Sequence, residues 1–320
     1  VATDLVVAMS PPVGRRYYWR VRACNAIACG AFSEVWYLDV GRLRDDVNGD
    51  GFGDVIVGIT SGAAEPATIG RGHIILGQSG LGSATIVELP DPRSESDAHF
   101  GAAVAMVGDL NADGYADVAV GAWRSPHASH LGWVYIYAGR GTWPSTVNSE
   151  SGGYGLATPD AAEHFGSAIA GGGDVNGDGY ADFTVTALEP VLVTARPGYV
   201  YMNYGRPVLP AAQLGSDRVI PDPTGATAGL FGWSLSMADV NQDGFADAVV
   251  GAIGRDALVG NAVMYFGGRD TTAPPITVAS HDVRFAPAAA APSAFGYAST
   301  TCSANRSEER RVGKECRLTC

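Results

Sequence analysis

The nine residues DVNGDGFGD at positions 46–54 are the most informative stretch of this chain, because near copies of them recur. The copies are DLNADGYAD at 109–117, DVNGDGYAD at 174–182 and DVNQDGFAD at 239–247, and they start 63, 65 and 65 residues apart. A fixed period of this length indicates a repeat architecture in which each unit is one supersecondary structure. We therefore predict four units, each with the acidic loop at the same place.

Apolar runs surround each loop in a fixed order. Phe-Gly and an alternating run precede three of the loops, starting at Phe100, Phe165 and Phe231. A β-branched run such as DVAVGA follows each loop, then a third run such as GHIILG and a short fourth that ends near a Pro-Asp break. None of these runs has the 3.6-residue spacing of an amphipathic helix. Four short strands in each period predict an all-β chain, a β-propeller of four-stranded blades that stack to bury their faces.

The repeat spacing also predicts the domain boundaries. The propeller region covers 42–299, with four blades at 42–97, 98–162, 163–228 and 229–292, and the beginning of a fifth at 293–299. The ring is therefore expected to be incomplete.

This set of motifs resembles the FG-GAP repeats of integrin alpha-type propellers. The resemblance rests on Phe-Gly, the DxNxDGxxD loop and a following Gly-Ala pair, as at Gly121 and Ala122. Two units depart from it: the first lacks the Phe-Gly, and the third has Thr186 where a glycine is expected, so we expect looser contacts there. The resemblance implies a ring of seven blades with partners bound on the face opposite the acidic loops.

The loop chemistry predicts calcium. Ca²⁺ takes six to eight oxygen ligands, and each loop offers side-chain oxygens at positions 1, 3, 5 and 9 and a main-chain carbonyl at position 7. Glycine at position 6 permits the sharp turn that wraps the chain around an ion. The predicted ligands are Asp46, Asn48, Asp50, Phe52, Asp54, Asp109, Asn111, Asp113, Tyr115, Asp117, Asp174, Asn176, Asp178, Tyr180, Asp182, Asp239, Asn241, Asp243, Phe245 and Asp247.

Two other interpretations account for these loops less well. An EF-hand requires a glutamate at position 12, which here is Val57, Val120, Val185 or Val250. An acidic surface turn without metal explains one copy well, but it explains four copies in register poorly. We expect up to four Ca²⁺ ions that act as structural staples between the first two strands of each blade, where close carboxylates otherwise repel.

The amino-terminal part, residues 1–41, differs from the repeats. Its alternating residues predict two half-buried strands that resemble the end of a truncated fibronectin type III domain, with Tyr17 opening the penultimate strand. Cys24 and Cys29 bracket the turn between the strands and are candidates for a disulfide, which predicts an oxidising, extracytoplasmic location. Two free thiols in a reduced protein are the alternative.

Both ends of the chain predict a fragment. Val1 is not preceded by a methionine or a signal-peptide pattern. Residues 306–316, RSEERRVGKEC, resemble the in-frame translation of a sequencing adapter. We therefore expect 300–320 to be a non-native or disordered tail.

The histidines do not predict an enzyme. His99 and His164 occupy the same repeat position before Phe-Gly, and His127 and His130 lie in a tryptophan-containing stretch that is either loop decoration or a small binding site. No nucleophile elbow, zinc-protease motif or phosphate loop is present. We predict no catalysis by this chain. We expect Trp133 to lie in the core of an ordinary blade.

Composition limits the possible partners. A net charge of −12 and a pI near 4.8 argue against a nucleic-acid partner. The sequence contains no run of eighteen apolar residues, so it predicts no transmembrane segment. The predicted function is an extracellular or cell-surface, secreted calcium-binding module for adhesion or for recognition of a protein or glycan ligand. The alternatives are a non-catalytic accessory domain of a secreted hydrolase or lyase, and an architectural spacer.

Overall fold

A computed structural model describes most of the repeat region as strands joined by turns and bends, with no helix in the described ranges. These ranges are 15–24, 28–33, 36–40, 44–60, 69–80, 82, 84–95, 97–127, 130–147, 153–157, 164–188, 198–209, 212–214, 217–223, 230–253, 260–268 and 283–285. Within them, nothing forms a helix that could cross a bilayer. The predicted fifth-blade start at 293–299 and the tail at 300–320 lie outside the described residues.

The strands follow the order that the repeats predict. Blade 1 contains β3 (Val55–Ile59), β4 (Arg71–Leu76) and β5 (Thr85–Pro90). Blade 2 contains β6 (Phe100–Gly108), β7 (Asp117–His127), β8 (His130–Tyr137) and β9 (Gly153–Ala157). Blade 3 contains β10 (Phe165–Gly173), β11 (Asp182–Ala187), β12 (Tyr199–Asn203) and β14 (Arg218–Pro221), and the third unit also contributes β13 (Ala212–Leu214), which pairs with blade 2. Blade 4 contains β15 (Phe231–Ala238), β16 (Asp247–Ala252), β17 (Asn261–Tyr265) and β18 (Val283–Phe285).

Each of the last three blades is an antiparallel sheet. Successive strands pair in order, as β6 with β7, β7 with β8 and β8 with β9. The same order holds for β10, β11, β12 and β14, and for β15 to β18. The prediction of an all-β chain built of propeller blades is confirmed.

Blade 1 differs from the other three in lacking a first strand within the described ranges. The residues that precede its loop form β2 (Trp36–Val40), which pairs antiparallel with β1 (Arg15–Trp19) rather than with β3. The first unit has no Phe-Gly, so the sequence signal for that strand is missing as well. As a result β3 lies at the edge of its sheet.

Apolar layers between successive blades form the core. Along β7, alternate residues point to opposite sides of the blade: Val118 and Val120 join the layer against blade 1, whereas Ala119 joins the layer against blade 3. Phe100 and Phe165, the aromatic residues of Phe-Gly, are fully buried. Each such side chain stabilises the fold by about 1.5–3 kcal/mol relative to an exposed one.

Close contact between blades explains two glycines of the repeat, the one in the Phe-Gly pair and the one in the Gly-Ala pair. A Cβ on Gly121 would lie 2.2 Å from the carbonyl oxygen of Gly166, the glycine of the next Phe-Gly pair. In the third unit, Thr186 replaces the first of these glycines, and its hydroxyl donates a 2.9 Å hydrogen bond to the carbonyl of Gly232. Thr186 is fully buried, so this departure from the repeat produces a different contact rather than a gap.

A second connection between blades lies at their outer strands. The Ser145 carbonyl accepts a hydrogen bond from the Glu88 amide (2.8 Å), and the Val147 amide donates to the Glu88 carbonyl (2.9 Å), so blade 2 clasps β5 of blade 1. In the same way β13, from the third unit, pairs in parallel with β9 of blade 2. These outer clasps hold the edge of one blade to the chain of the next.

Candidate metal centres

The four acidic loops occupy equivalent places in the blades. The loops at 109–117, 174–182 and 239–247 connect the first and second strands of blades 2, 3 and 4, and the loop at 46–54 leads into β3. All four lie at the same end of their blades, because each leads directly into the second strand.

The first aspartate of each loop organises the turn. In the second loop, Asp109 accepts the amide of Asp113 at 3.0 Å on Oδ1 and the amide of Gly114 at 2.8 Å on Oδ2. The other three loops form the same two bonds at 2.8–3.2 Å. The aspartate therefore satisfies two main-chain donors that face the inside of the turn.

The asparagine and the second aspartate form a local network near the tip. In the second loop, Asn111 accepts the Asp113 amide (2.9 Å) and donates from Nδ2 to Asp113 Oδ2 (2.9 Å). Asp113 Oδ1 in turn accepts the Tyr115 amide at 3.0 Å. The corresponding bonds are present in the other three loops.

The last aspartate ties the loop to the third strand of its blade. Asp117 accepts the Leu110 amide at 2.9 Å and the Gly139 amide, just after β8, at 2.8 Å. Asp54, Asp182 and Asp247 repeat this pair of bonds at 2.7–3.0 Å. This anchoring role was not predicted from the sequence, which assigned position 9 to metal ligation alone.

The loop backbone visits the left-handed region twice. Position 6 does so in all four loops, with φ of 88° at Gly51 and 103° at Gly114, as its glycine predicts. Position 4 does so as well, although it is Ala112 (φ 58°) in the second loop and Gln242 (φ 61°) in the fourth. Non-glycine residues rarely adopt such φ values, so the side chains at 112 and 242 do not predict this conformation, although position 4 is glycine in the other two loops.

Burial makes the last aspartates costly to ionise. Asp117, Asp182 and Asp247 are fully buried and Asp54 nearly so. Burial is the largest cause that raises the pKa of each carboxyl, and the neighbouring loop aspartates raise it further; the pKa of Asp117 reaches about 8.

The donor set of each loop fits a hard cation in chemical type. It contains three carboxylates and one amide oxygen, and each carboxylate oxygen has room for a second contact beside its amide hydrogen bond. Within the described ranges, however, no three His, Cys, Asp or Glu side chains come together closely enough to form a metal cluster by themselves. The carboxylates are turned towards main-chain amides instead.

Hydrogen bonds link each loop to the next. The Asp46 carbonyl accepts the amide of Ala116 at position 8 of the second loop (2.9 Å). Asp109 and Ala181 form the same bond at 3.0 Å, as do Asp174 and Ala246 at 2.8 Å. The four loops are therefore joined in series by main-chain bonds.

Side-chain packing supports these links between loops. A Cβ on Gly49, at position 4 of the first loop, would lie 2.8 Å from the ring of Tyr115 at position 7 of the second. Gly177 and Phe245 repeat this contact between the third and fourth loops at 2.5 Å. The position-7 residue thus packs on the preceding loop with its side chain, a role that is separate from the ligation predicted for its carbonyl.

Trp123, His99 and His164 lie at the opposite end of blade 2, whereas Trp143 donates from Nε1 to the Val47 carbonyl of the first acidic loop at 3.0 Å. His99 stacks on Trp123 with ring centroids 4.5 Å apart, and His164 lies 5.2 Å from the same tryptophan. Trp133 is buried in the layer between blades 1 and 2, as expected. The side chains of His127 and His130 lie outside the described residues.

The predicted disulfide pair is bonded in the structure. Cys24 and Cys29 are joined by an S–S bond of 2.01 Å, and they face each other across the turn as an antiparallel bridge. This disulfide supports an oxidising environment.

Comparison with known proteins identifies the repeats. The family profile described as FG-GAP repeat matches residues 100–137, 165–201 and 231–262, and each match begins at a Phe-Gly pair. Integrin alpha-4 of Xenopus laevis is 36% identical over 173 residues, which are 50% of this chain and 16% of that protein. Three segments of this chain are FG-GAP repeats, and they are similar to segments of integrin alpha chains. Integrin alpha-PS3 of Drosophila melanogaster is 32% identical over 170 residues, 52% of this chain and 14% of that protein.

The FG-GAP matches coincide with blades 2, 3 and 4. Each covers the first strand, the acidic loop and the second strand, with all of the third strand in blade 2 and part of it in blades 3 and 4. The segment shared with integrin alpha-V of Gallus gallus is similar in extent, 33% identical over 171 residues and 16% of that protein. The aligned part of this chain thus spans only about a sixth of the length of these relatives.

Proposed function

We propose that this FG-GAP chain is a calcium-binding propeller module of an extracellular or cell-surface protein, and that it recognises a protein or glycan ligand in adhesion. The repeated geometry of the acidic loops carries the proposal. All four loops have the same hydrogen-bond network at the same end of their blades, and three main-chain bonds connect them in series. The integrin alpha relatives and the Cys24–Cys29 disulfide support an extracellular location.

Calcium in this proposal is structural. Position 1, 3, 5 and 9 side chains and the position 7 carbonyl would hold it, and when bound it supplies positive charge beside carboxylates that burial makes costly to ionise. The chain's own contribution is to orient these oxygens. Amides of positions 5 and 6 orient the first aspartate, and a glycine amide just after the third strand orients the last. Up to four Ca²⁺ ions per chain are expected.

The opposite end of the blades is the proposed recognition surface. At that end of blade 2, Trp123 stacks on His99, and the exposed Arg124 pairs with Asp97 at 3.1 Å. Trp123 itself is buried, so this end offers a ligand the partly exposed His99 ring for stacking and the charged Arg124 and Asp97 side chains for hydrogen bonds. We assign no catalytic role to this surface.

Calorimetry tests the calcium proposal. Titration of the full chain with CaCl2 should give saturable binding of up to four ions, and the melting temperature should rise with calcium and fall again with chelator. MgCl2 at equal concentration is the control, because Mg²⁺ demands a smaller and more rigid octahedral site. A melting temperature that is unchanged by calcium and chelator would refute the staple role.

An array screen tests recognition. The full chain, with calcium present, is applied to glycan and extracellular protein arrays, and Arg124→Ala is compared with Arg140→Ala, which lies near the acidic loops. Loss of a ligand signal with Arg124→Ala but not with Arg140→Ala is the expected result. The same signal from both variants would place the ligand elsewhere.

A further inference from the structure

Arg218 occupies a core position of blade 3. β14 pairs Arg218 directly opposite Met202, whereas the corresponding pair in blade 1 is Val87 opposite Ile74. Ile74 and Met202 correspond because each lies three residues before the glycine that donates to the last loop aspartate. Val87, Ile74 and Met202 are fully buried. Arg218 therefore lies where the first blade has an apolar core residue.

The sheet face that carries Arg218 is apolar. Directly opposed residues of an antiparallel pair share a face, and so do residues two apart on one strand. Ile220 therefore lies on the face of Arg218, and Tyr204 lies on the face of Met202, which is the same one. Met202 and Ile220 are fully buried in the layer between blades 3 and 4, and Tyr204 is partly buried against it. The Arg218 side chain thus leaves the sheet on its blade 4 side.

Two donors of the Arg218 guanidinium are buried without an acceptor. Neither Nε nor Nη1 has a hydrogen-bond partner in the part of the chain that the structure describes. The neighbouring Asp217 does not neutralise the arginine, because its carboxylate pairs with Arg206 and accepts the Tyr204 amide at 2.7 Å. Arginine stays charged in proteins, and buried donors of a cation are costly when they lack partners. This cost indicates that Arg218 binds a group other than the side chains around it.

The Tyr204 hydroxyl is a third donor at the same place. It is also buried without a hydrogen-bond partner among the described residues. Burial, and to a smaller extent nearby carboxyls, raises the pKa of Tyr204 to about 12, although the Arg218 guanidinium lowers it. The hydroxyl and the guanidinium therefore lie close together without a hydrogen bond between them. At neutral pH the hydroxyl keeps its proton and can donate it to a ligand.

We propose that Arg218 and Tyr204 form a binding site for a small oxyanion between blades 3 and 4. An oxyanion such as sulfate or a carboxylate neutralises the guanidinium, and it accepts hydrogen bonds from the guanidinium and the hydroxyl together. Arg218 is partly exposed, so the anion can enter from solvent. The site takes the opposite charge from the acidic loops and does not depend on whether they bind calcium.

The site belongs to blade 3. The residues paired at the equivalent place in blades 1, 2 and 4 are Val87, Tyr154 and Val283, none of which is charged. Of the four described blades, only the third therefore has a cation at this place. One such anion per chain is expected.

Calorimetric titration of the full chain with sodium sulfate, at an ionic strength held constant with sodium chloride, tests the proposal. The wild type should bind one sulfate with a saturable signal. Its melting temperature should rise by about 3–5 °C at a sulfate concentration about ten times the Kd. Sodium acetate in place of sulfate shows whether the site also takes a carboxylate, and saturable binding of either anion supports the proposal.

Arg218→Val is the informative variant, because valine is the residue that blade 1 buries at this place. It should lose the sulfate titration signal and the rise in melting temperature. Arg284→Val is the matched control, since Arg284 is an exposed arginine on β18, the outer strand of blade 4. This control should respond to sulfate like the wild type, which separates the proposed site from the general effect of sulfate on protein stability.

Tyr204→Phe removes one hydroxyl only, and it decides the proposal even if Arg218→Val does not fold. It should weaken sulfate binding by about tenfold, the effect of one hydrogen bond to a charged group. Three results would overturn the proposal. They are a wild type that binds neither sulfate nor acetate, which would mean that water satisfies the donors, an Arg218→Val protein that responds like the wild type, and an unchanged Kd in Tyr204→Phe.

Discussion

Replacing Asp117 by asparagine separates the hydrogen-bonding role of the last loop aspartate from its proposed role in calcium binding. The carboxylate accepts two main-chain amides, those of Leu110 and Gly139. Asparagine has the same shape but accepts through one oxygen only, so its amide nitrogen faces a donor. A buried main-chain donor left without an acceptor in this way costs about 1–3 kcal/mol.

Asp91 supplies a matched control. It is also buried, it accepts the amides of Arg93 (2.9 Å) and Glu95 (3.0 Å), and burial raises its pKa, yet it lies outside the acidic loops. Asp91→Asn should therefore lose a similar amount of stability. A loss of this size lowers the melting temperature by about 2–4 °C per kcal/mol.

Calcium should distinguish the two variants. A site with a Kd of about 10⁻⁴ to 10⁻³ M, typical of extracellular modules, stabilises the fold by about 1–2 kcal/mol at about 5 mM calcium. Asp117→Asn should lose that gain for one loop, whereas Asp91→Asn should retain the full gain of the wild type. Differential scanning calorimetry in calcium and in chelator measures both. Equal calcium gains in Asp117→Asn, Asp91→Asn and the wild type would refute the ligand role of position 9.

Three further outcomes follow from the same structure. Burial raises the pKa of Asp117 to about 8, so the stability that this group contributes below about pH 4 is lost as the pH rises through 8. In EDTA the melting temperature should therefore be lower at pH 8 than at pH 5. Calcium should remove the difference. Gly49→Ala should destabilise the chain by about 1–3 kcal/mol more than Gly80→Ala in chemical denaturation, because both have positive φ but only Gly49 contacts an aromatic ring of the next loop. Alkylation of the folded, unreduced protein should leave Cys24 and Cys29 unlabelled in mass spectrometry, and labelling of both would show free thiols.

The sequence predicted the strand order well because apolar periodicity directly reports which residues are buried. Phe100, Phe165 and Phe231 start the first strands of blades 2, 3 and 4 as predicted, and the run after each loop forms the second strand. The unit without a Phe-Gly is also the one without a first strand in the described ranges. Its preceding residues pair with β1, a partner choice that depends on tertiary contacts rather than on local pattern.

The contacts between loops could not be predicted, because main-chain atoms form them. The amide of Ala116 that bonds to Asp46 belongs to a residue whose side chain carries no signal. The left-handed turn at Ala112 is likewise imposed by the network around it, against the preference of alanine. The ligand assignments for positions 1, 3, 5, 7 and 9 remain predictions that the calcium experiments decide.

The outer clasps have a consequence for how the array comes apart. Glu88 in β5 is hydrogen-bonded to Ser145 and Val147 of the next unit. The outer strand of a blade therefore cannot separate while these bonds to the neighbouring blade remain. Unfolding of one blade would remove main-chain hydrogen-bond partners from the next blade. The described blades should therefore unfold together on heating, in a single sharp transition.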